Sequence, residues 1–170
     1  AVEHSLKQNK IIFINFQKNP DIEQPTEADI YEYGTRATIL QVMRMPNGSL
    51  KILVEGINRA RIIEHKEMDG FTGVVYEDIE TSQKSKTADF EASWRIFQKL
   101  YADYAKLNEK APQDLITLGS TIEDIDYVID TTAVHLNLSF DERQDILEMI
   151  DLKKRLIRIS TILKKEIEIL

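Results

Sequence analysis

Gly34–Ile62, GTRATILQVMRMPNGSLKILVEGINRARI, decides how the first half of the chain is read. It holds two apolar-rich runs joined by Pro46-Asn47-Gly48. Asn-Gly between strand-like runs signals a tight hairpin, because both central residues of a type I′ turn take positive φ. With Asn47-Gly48 as a two-residue turn, Met45 opposes Leu50, Met43 opposes Ile52 and Gln41 opposes Val54 on one face. Arg44 then opposes Lys51, Val42 opposes Leu53 and Leu40 opposes Glu55 on the other. Both faces are apolar near the middle, whereas an open antiparallel sheet with one wet face alternates more cleanly. A curled, barrel-like sheet with a protruding hairpin tip is the expectation. A second turn is read at Glu55-Gly56-Ile57-Asn58, followed by a strand over Arg59–Lys66.

Outward from this stretch the pattern changes once. On the N-terminal side, Ala1–Asn9 reads as the tail of an amphipathic helix, and Ile11–Phe16 is an apolar run short enough for a buried strand. Asn19-Pro20-Asp21 breaks it, and the polar segment to Glu32 reads as a loop with at most one helical turn. Phe71–Ile79 adds a strand after a turn at Met68-Asp69-Gly70. Past the polar linker Thr81–Lys86 the apolar period becomes 3.6. Phe90, Trp94, Phe97, Tyr101, Tyr104 and Leu107 form one stripe on a helix of about 20 residues, roughly 30 Å long. A short helix opens at Ala111-Pro112, and Ile122, Ile125, Val128, Ile129 and Thr132 mark another. Ser139-x-x-Glu142 is a capping box, and Asp151 caps a last helix with an apolar seam from Leu152 to Leu170. That helix carries no stop signal and is expected to run on, and Ala1 also lies inside a helical pattern. The fold class expected is α+β: a β-rich pseudo-barrel of antiparallel strands over residues 1–83, then an α-helical bundle over 84–170 that ends in a long helix.

The composition, 42% apolar and 30% charged, is that of a soluble globular protein, and no apolar run is long enough to span a membrane. No signal peptide is visible, and the absence of cysteine rules out disulfides, thiolate metal sites and a Cys nucleophile. A cytoplasmic location is expected. The net charge of −7 is unevenly spread. Pro112–Asp151 carries ten acids and one base, Arg143, whereas Leu152–Leu170 carries six bases and two acids. Such a layout argues against a nucleic-acid surface, which gathers basic charge on one face. The basic helix is left to pair with the acidic block or with a partner.

The residues supply no catalytic signature. Walker A, G-x-S-x-G, H-E-x-x-H and G-x-G-x-x-G patterns are absent. His4, His65 and His135 are far apart, so ordinary packing or surface roles are expected, with no metal site. Asp126 and Asp130 share a helix face at i, i+4, and a solvated face is the simpler reading of the acid cluster around them. Ser82, Lys84, Ser85 and Lys86 lie in a polar linker, too flexible to preorganise a Ser/Lys dyad. The aromatic stripe reads as core. Met43, Met45 and Leu50 near the hairpin tip are the candidate contact residues, since flexible Met side chains suit varied partners, with core filling as the competing reading.

Several blocks carry a family resemblance over essentially the whole chain. They are Ala1–Phe13, Gln17-Lys18, Asp29–Ala37 with its Tyr-Glu-x-Gly-Thr-x-Ala pattern, Pro46–Gly56, Arg59–Ile62, Leu136–Ser139 with Asp141–Gln144, and Leu163–Glu168. Together they resemble the N-terminal domain of ATP-dependent Lon proteases. The resemblance implies a substrate-recognition and regulatory module of a hexameric AAA+ serine protease. Unfolded, damaged or degron-bearing proteins and other Lon subunits are the implied partners, with neither membrane nor nucleic acid bound through this segment. The family's ATP-binding loop and Ser/Lys protease site have no counterpart here, so no catalytic residue and no cofactor is expected; ATP and magnesium would belong to the ATPase part. The family's opening Pro-containing strand is also missing, which is expected to leave a sheet edge unpaired. The competing implication is a structural self-association module that supports hexamer assembly.

Overall fold

Residues 33–68 form two long strands, β2 (Tyr33–Arg44) and β3 (Leu50–Met68). The computed structural model describes residues 1–170, which divide into two units, Ala1–Glu80 and Thr81–Leu170. The first unit opens with α1 (Val2–Leu6) and β1 (Ile11–Ile14) and closes with β4 (Phe71–Ile79). One 3-10 turn, Glu27–Asp29, interrupts the loop before β2. The strands make a single antiparallel sheet in the order β1-β2-β3-β4.

Two readings of the hairpin are corrected. The loop is three residues, Pro46-Asn47-Gly48, because the Gly48 amide bonds the Met45 carbonyl at 3.0 Å and the Met45 amide bonds the Ser49 carbonyl at 2.8 Å. Gly48 takes φ 83°, the left-handed residue that follows a type I turn in such loops. Pairing therefore slips by one: Met43 opposes Lys51, Val42 opposes Ile52 and Arg44 opposes Leu50. The expected turn at Glu55–Asn58 is a β-bulge inside one continuous β3, where Ile57 is the unpaired extra residue. A true two-residue turn exists elsewhere, at Asp69-Gly70, where Met68 opposes Phe71.

The sheet curls as its two apolar faces require. A straight 19-residue strand would span about 60 Å. Yet neighbouring residues of α1 reach both ends of β3. Glu3 pairs with Arg44, opposite Leu50, at 2.7 Å, and the His4 ring lies 4.8 Å from that of Phe71, opposite Met68. Phe13 on one edge strand and Tyr76 on the other bring their rings to 6.3 Å. Register shifts at Leu40, Ile57 and Ile63 supply the bends, since a bulge kinks its strand and adds twist. The buried apolar residues of this unit are few and partly small: Ala37, Ile39, Ala60 and Ile62.

The second unit holds the larger core. It consists of α2 (Ala88–Leu107), a 3-10 turn at Gln113–Thr117, α3 (Ile122–His135), α4 (Phe140–Glu148) and α5 (Leu152–Ile169). The α2 aromatics stack in series, with ring centroids 5.2, 5.9 and 6.2 Å apart from Trp94 through Phe97 and Tyr101 to Tyr104. Buried tyrosine hydroxyls need partners. Tyr101 donates to the Pro112 carbonyl at 2.9 Å and Tyr104 to the His135 carbonyl at 3.0 Å, so the stripe is core. Leu152, Leu156, Ile159 and Leu163 of α5 complete it. The expected caps form. The Ser139 side chain accepts from the Glu142 amide while Glu142 reaches back at 2.9 Å, and Asp151 accepts from the Lys154 amide at 3.0 Å.

Candidate functional site

In an antiparallel pair, directly opposed residues share a face, and alternate residues along a strand share it too. Met43 with Lys51 and Gln41 with Leu53 therefore lie on one side of the β2–β3 hairpin, and Met45 joins them two residues on. Leu50 lies on the other side with Arg44, Val42 and Ile52. Burial separates the two sides: Val42, Leu50 and Ile52 are half-buried, whereas Met43, Lys51 and Leu53 are exposed. The expected trio is thus split. Met43 and Met45 come together, and Leu50 belongs to the face over which Arg44 reaches Glu3. The pair holds the Glu3 carboxyl below its usual range, first through the hydrogen bond from Arg44 and then through its charge.

Two residues missed by sequence reasoning complete the exposed face. Leu53 was placed opposite Val42 by the wrong register, and Leu40 is the extra residue of the β2 bulge. A bulge re-aims a side chain without any mark in the alternation pattern. Leu40, Met43, Met45 and Leu53 are 56%, 52%, 38% and 56% exposed. Large apolar side chains are ordinary on a surface one at a time; several on adjoining positions of one face are not. No Asp or Glu occurs between Tyr33 and Val54, the longest carboxylate-free stretch of the chain. Arg36, at the base of the hairpin, is held by Asn58 at 2.9 Å and Asp78 at 3.3 Å. The face is open and apolar over its middle, and it can cover apolar side chains of another molecule.

The other candidate constellations dissolve. No group of three or more His, Cys, Asp and Glu side chains converges on a point. His4 stacks on Phe71, and His135 gives its carbonyl to Tyr104. Lys86 donates to the Gly119 carbonyl at 2.6 Å, which occupies the lysine in a backbone tie. Asp126 and Asp130 are more than a solvated face. Both bind the guanidinium of Arg155, which is 1% exposed and also donates to the Met149 carbonyl at 2.9 Å. Part of the basic helix thus pairs with the acidic block inside the chain. No helix is long and apolar enough to cross a membrane.

Residues 1–165 match the family model of the ATP-dependent protease La (LON) substrate-binding domain. The chain is 38% identical over 170 residues to the Lon protease of Halothermothrix orenii, covering 100% of this chain and 22% of that protein. It is 41% identical over 167 residues to the Lon protease of Endomicrobium trichonymphae, covering 98% and 21%. The chain spans about a fifth of the length of these relatives. Among solved structures, the N-terminal domain of Mycobacterium avium complex Lon protease superposes with a TM-score of 0.73 at 20% identity, covering 96% of this chain and 83% of that one. A Lon N-terminal domain protein from Xanthomonas campestris gives 0.59 at 14%, covering 94% and 80%. At those identities the structures speak for the fold, which has the same sheet-then-helices plan. The chain belongs to the Lon protease family, within which it corresponds to the substrate-binding domain.

Proposed function

We propose that the chain recognises unfolded, damaged or degron-bearing polypeptides for delivery to an ATPase and protease core, and that it contributes binding without catalysis. The observation that carries this is the outer face of the β2–β3 hairpin, where Leu40, Met43, Met45 and Leu53 stand exposed on one side. Apolar side chains that a folded protein shields are what an unfolded chain displays, and apolar burial drives their capture. Methionine adapts to partners of different shape. In this reading ATP and magnesium act in parts of Lon proteases outside this chain, the partners are protein substrates and other subunits, and the location is the cytoplasm.

The test is a photo-crosslinker placed singly at Met43, Leu53 and Leu50 and exposed to a permanently unfolded polypeptide. Crosslinks at positions 43 and 53 that exceed those at 50 are expected. Equal yields at all three, or none, would end the assignment to this face.

A second reading, self-association in support of a hexamer, draws on Tyr127 and Val134, exposed seven residues apart on α3. Light scattering of the chain against concentration decides it. A monomer at all concentrations counts against self-association through this chain.

A further inference from the structure

The exposed hairpin face ends in unlike charges. Lys51, Leu53 and Glu55 alternate along β3, so their side chains share that face, opposite Met43, Gln41 and Thr38. The Leu40 bulge lies in β2 and leaves this part of β3 regular. Four residues of strand set the Lys51 and Glu55 Cα atoms about 13 Å apart, too far to pair with each other. Both are exposed, and neither joins an ion pair with another side chain, unlike Arg44 with Glu3 and Arg36 with Asp78. Between them lie Leu53, Gln41 and the bulged Leu40, and Met43 stands across from Lys51 at one end.

From this placement we infer that the face selects extended polypeptide segments whose apolar residues are bracketed by a carboxylate at one end and a cation at the other, about four residues apart. The inference deepens the polypeptide-recognition reading and rests on it. Apolar contact supplies the affinity, and the two end charges supply the choice among apolar segments, as charge complementarity does at interfaces generally. A segment with two acidic ends meets Glu55, and one with two basic ends meets Lys51, whichever way it lies. A segment with unlike ends satisfies both in one orientation. Exposed pairs contribute little singly, so each matched end changes affinity by about two- to fivefold, and salt weakens the choice.

The experiment uses the 170-residue chain and three fluorescent peptides with the same apolar centre, flanked by Asp and Lys, by two Asp or by two Lys. Anisotropy titration at low salt is expected to rank the mixed peptide first by two- to fivefold over either like-ended one. Lys51→Glu makes both ends of the face acidic and is expected to move the two-Lys peptide to first place. Glu55→Lys makes both ends basic and is expected to favour the two-Asp peptide. These surface changes spare the core, and circular dichroism of each variant checks that the fold is kept. If wild type binds all three peptides alike, or if the charge reversals leave the ranking unchanged, the charge selection is overturned while polypeptide recognition stands. If wild type binds none of the three, both fall.

Discussion

Replacing Gly34 with alanine is expected to lever β1 off the sheet. A Cβ at Gly34 would lie 2.3 Å from the Ile14 carbonyl oxygen and 2.7 Å from the Phe13 ring. Carbon and oxygen make tolerable contact at about 3.3 Å, so Ile14 must retreat by roughly 1 Å. It pairs with Thr35 at the end of a four-residue strand, and a hydrogen bond near 2.9 Å lengthened that much is lost. An extra methyl in a filled site costs about 1–3 kcal/mol, and ladder bonds contribute about 1 kcal/mol each, which places Gly34→Ala near the upper end, about 3 kcal/mol. Gly56 is the control in the same sheet. A Cβ there meets only Thr35 Cγ2 at 3.5 Å, ordinary contact, and Gly56→Ala is expected to be neutral or to stabilise by up to about 1 kcal/mol by restricting the unfolded chain. The sole tryptophan, Trp94, reports the helical unit, so urea unfolding is followed through amide resonances of β2 and β3, with hydrogen exchange at Ile12 and Ile14. If the two variants unfold within about 0.5 kcal/mol of each other, or exchange at β1 is unchanged in Gly34→Ala, the steric reasoning is wrong.

Other perturbations follow the same logic in the helical unit. Arg155→Ala strips a buried cation from Asp126, Asp130 and the Met149 carbonyl and is expected to cost about 3–5 kcal/mol in urea unfolding, whereas Arg155→Met keeps an apolar stem in place and costs less. Burial first, and the neighbouring Tyr104 second, push the Tyr101 hydroxyl up to about 12 from 10.0. The proton is thus held more tightly in the folded chain, so this contribution is complete below about pH 10 and is lost as pH rises through about 12. Tyr101→Phe is expected to lose about 1 kcal/mol at neutral pH and to fall less steeply on alkaline titration of thermal stability; parallel curves would refute the assignment. Ser139→Ala removes a cap and is expected to cost about 1 kcal/mol. Hydrogen bonds from the Ser139 backbone and then its side chain lower the Glu142 carboxyl below 4.5. Wild type should therefore hold its cap above that pH and lose it as pH falls further, a dependence that circular dichroism should show weakened but not abolished in the variant, because the amide of residue 139 still donates to Glu142.

The helices were the more legible part because their signals are local. Ser139-x-x-Glu142 and Asp151 specify caps within one turn, and the stripe from Phe90 to Tyr104 needs only its own period. The curl of the sheet was also legible, from two apolar faces that no flat sheet would tolerate. Register was not. Asn47-Gly48 fits a two-residue turn in isolation, and the third loop residue, Pro46, shows only once Met45 is seen to pair with Ser49. A slip of one residue moves Leu53 from beside Val42 to beside Gln41, across to the exposed face. Leu40, Ile57 and Ile63 illustrate the deeper limit. A bulge is a compromise between strands that bend together, and no short window of sequence contains both partners. The candidate contact face was therefore half visible: Met43 and Met45 from composition, Leu40 and Leu53 only from the pairing.

The bulges also bear on why the contact face and the sheet coexist. The helical unit buries a broad apolar core, whereas the sheet buries Ala37, Ile39, Ala60 and Ile62 and relies on backbone ladders and on cross-strand ties such as Arg36–Asn58–Asp78 and Arg61–Glu77. Each bulge throws out one large apolar residue, Leu40, Ile57 or Ile63, that strict alternation would have had to place on one face or the other. Those side chains bend the sheet without filling its interior, so what they could contribute by burial is left for whatever covers the surface. A polypeptide that binds the folded sheet and not the unfolded chain adds that burial to the stability of the fold, by RT ln(1 + [L]/Kd), about 2.7 kcal/mol at a hundredfold excess over Kd. Binding of a polypeptide at this face would thus raise the stability of the sheet, a coupling the helical unit does not offer, because its aromatic and aliphatic side chains already pack on one another.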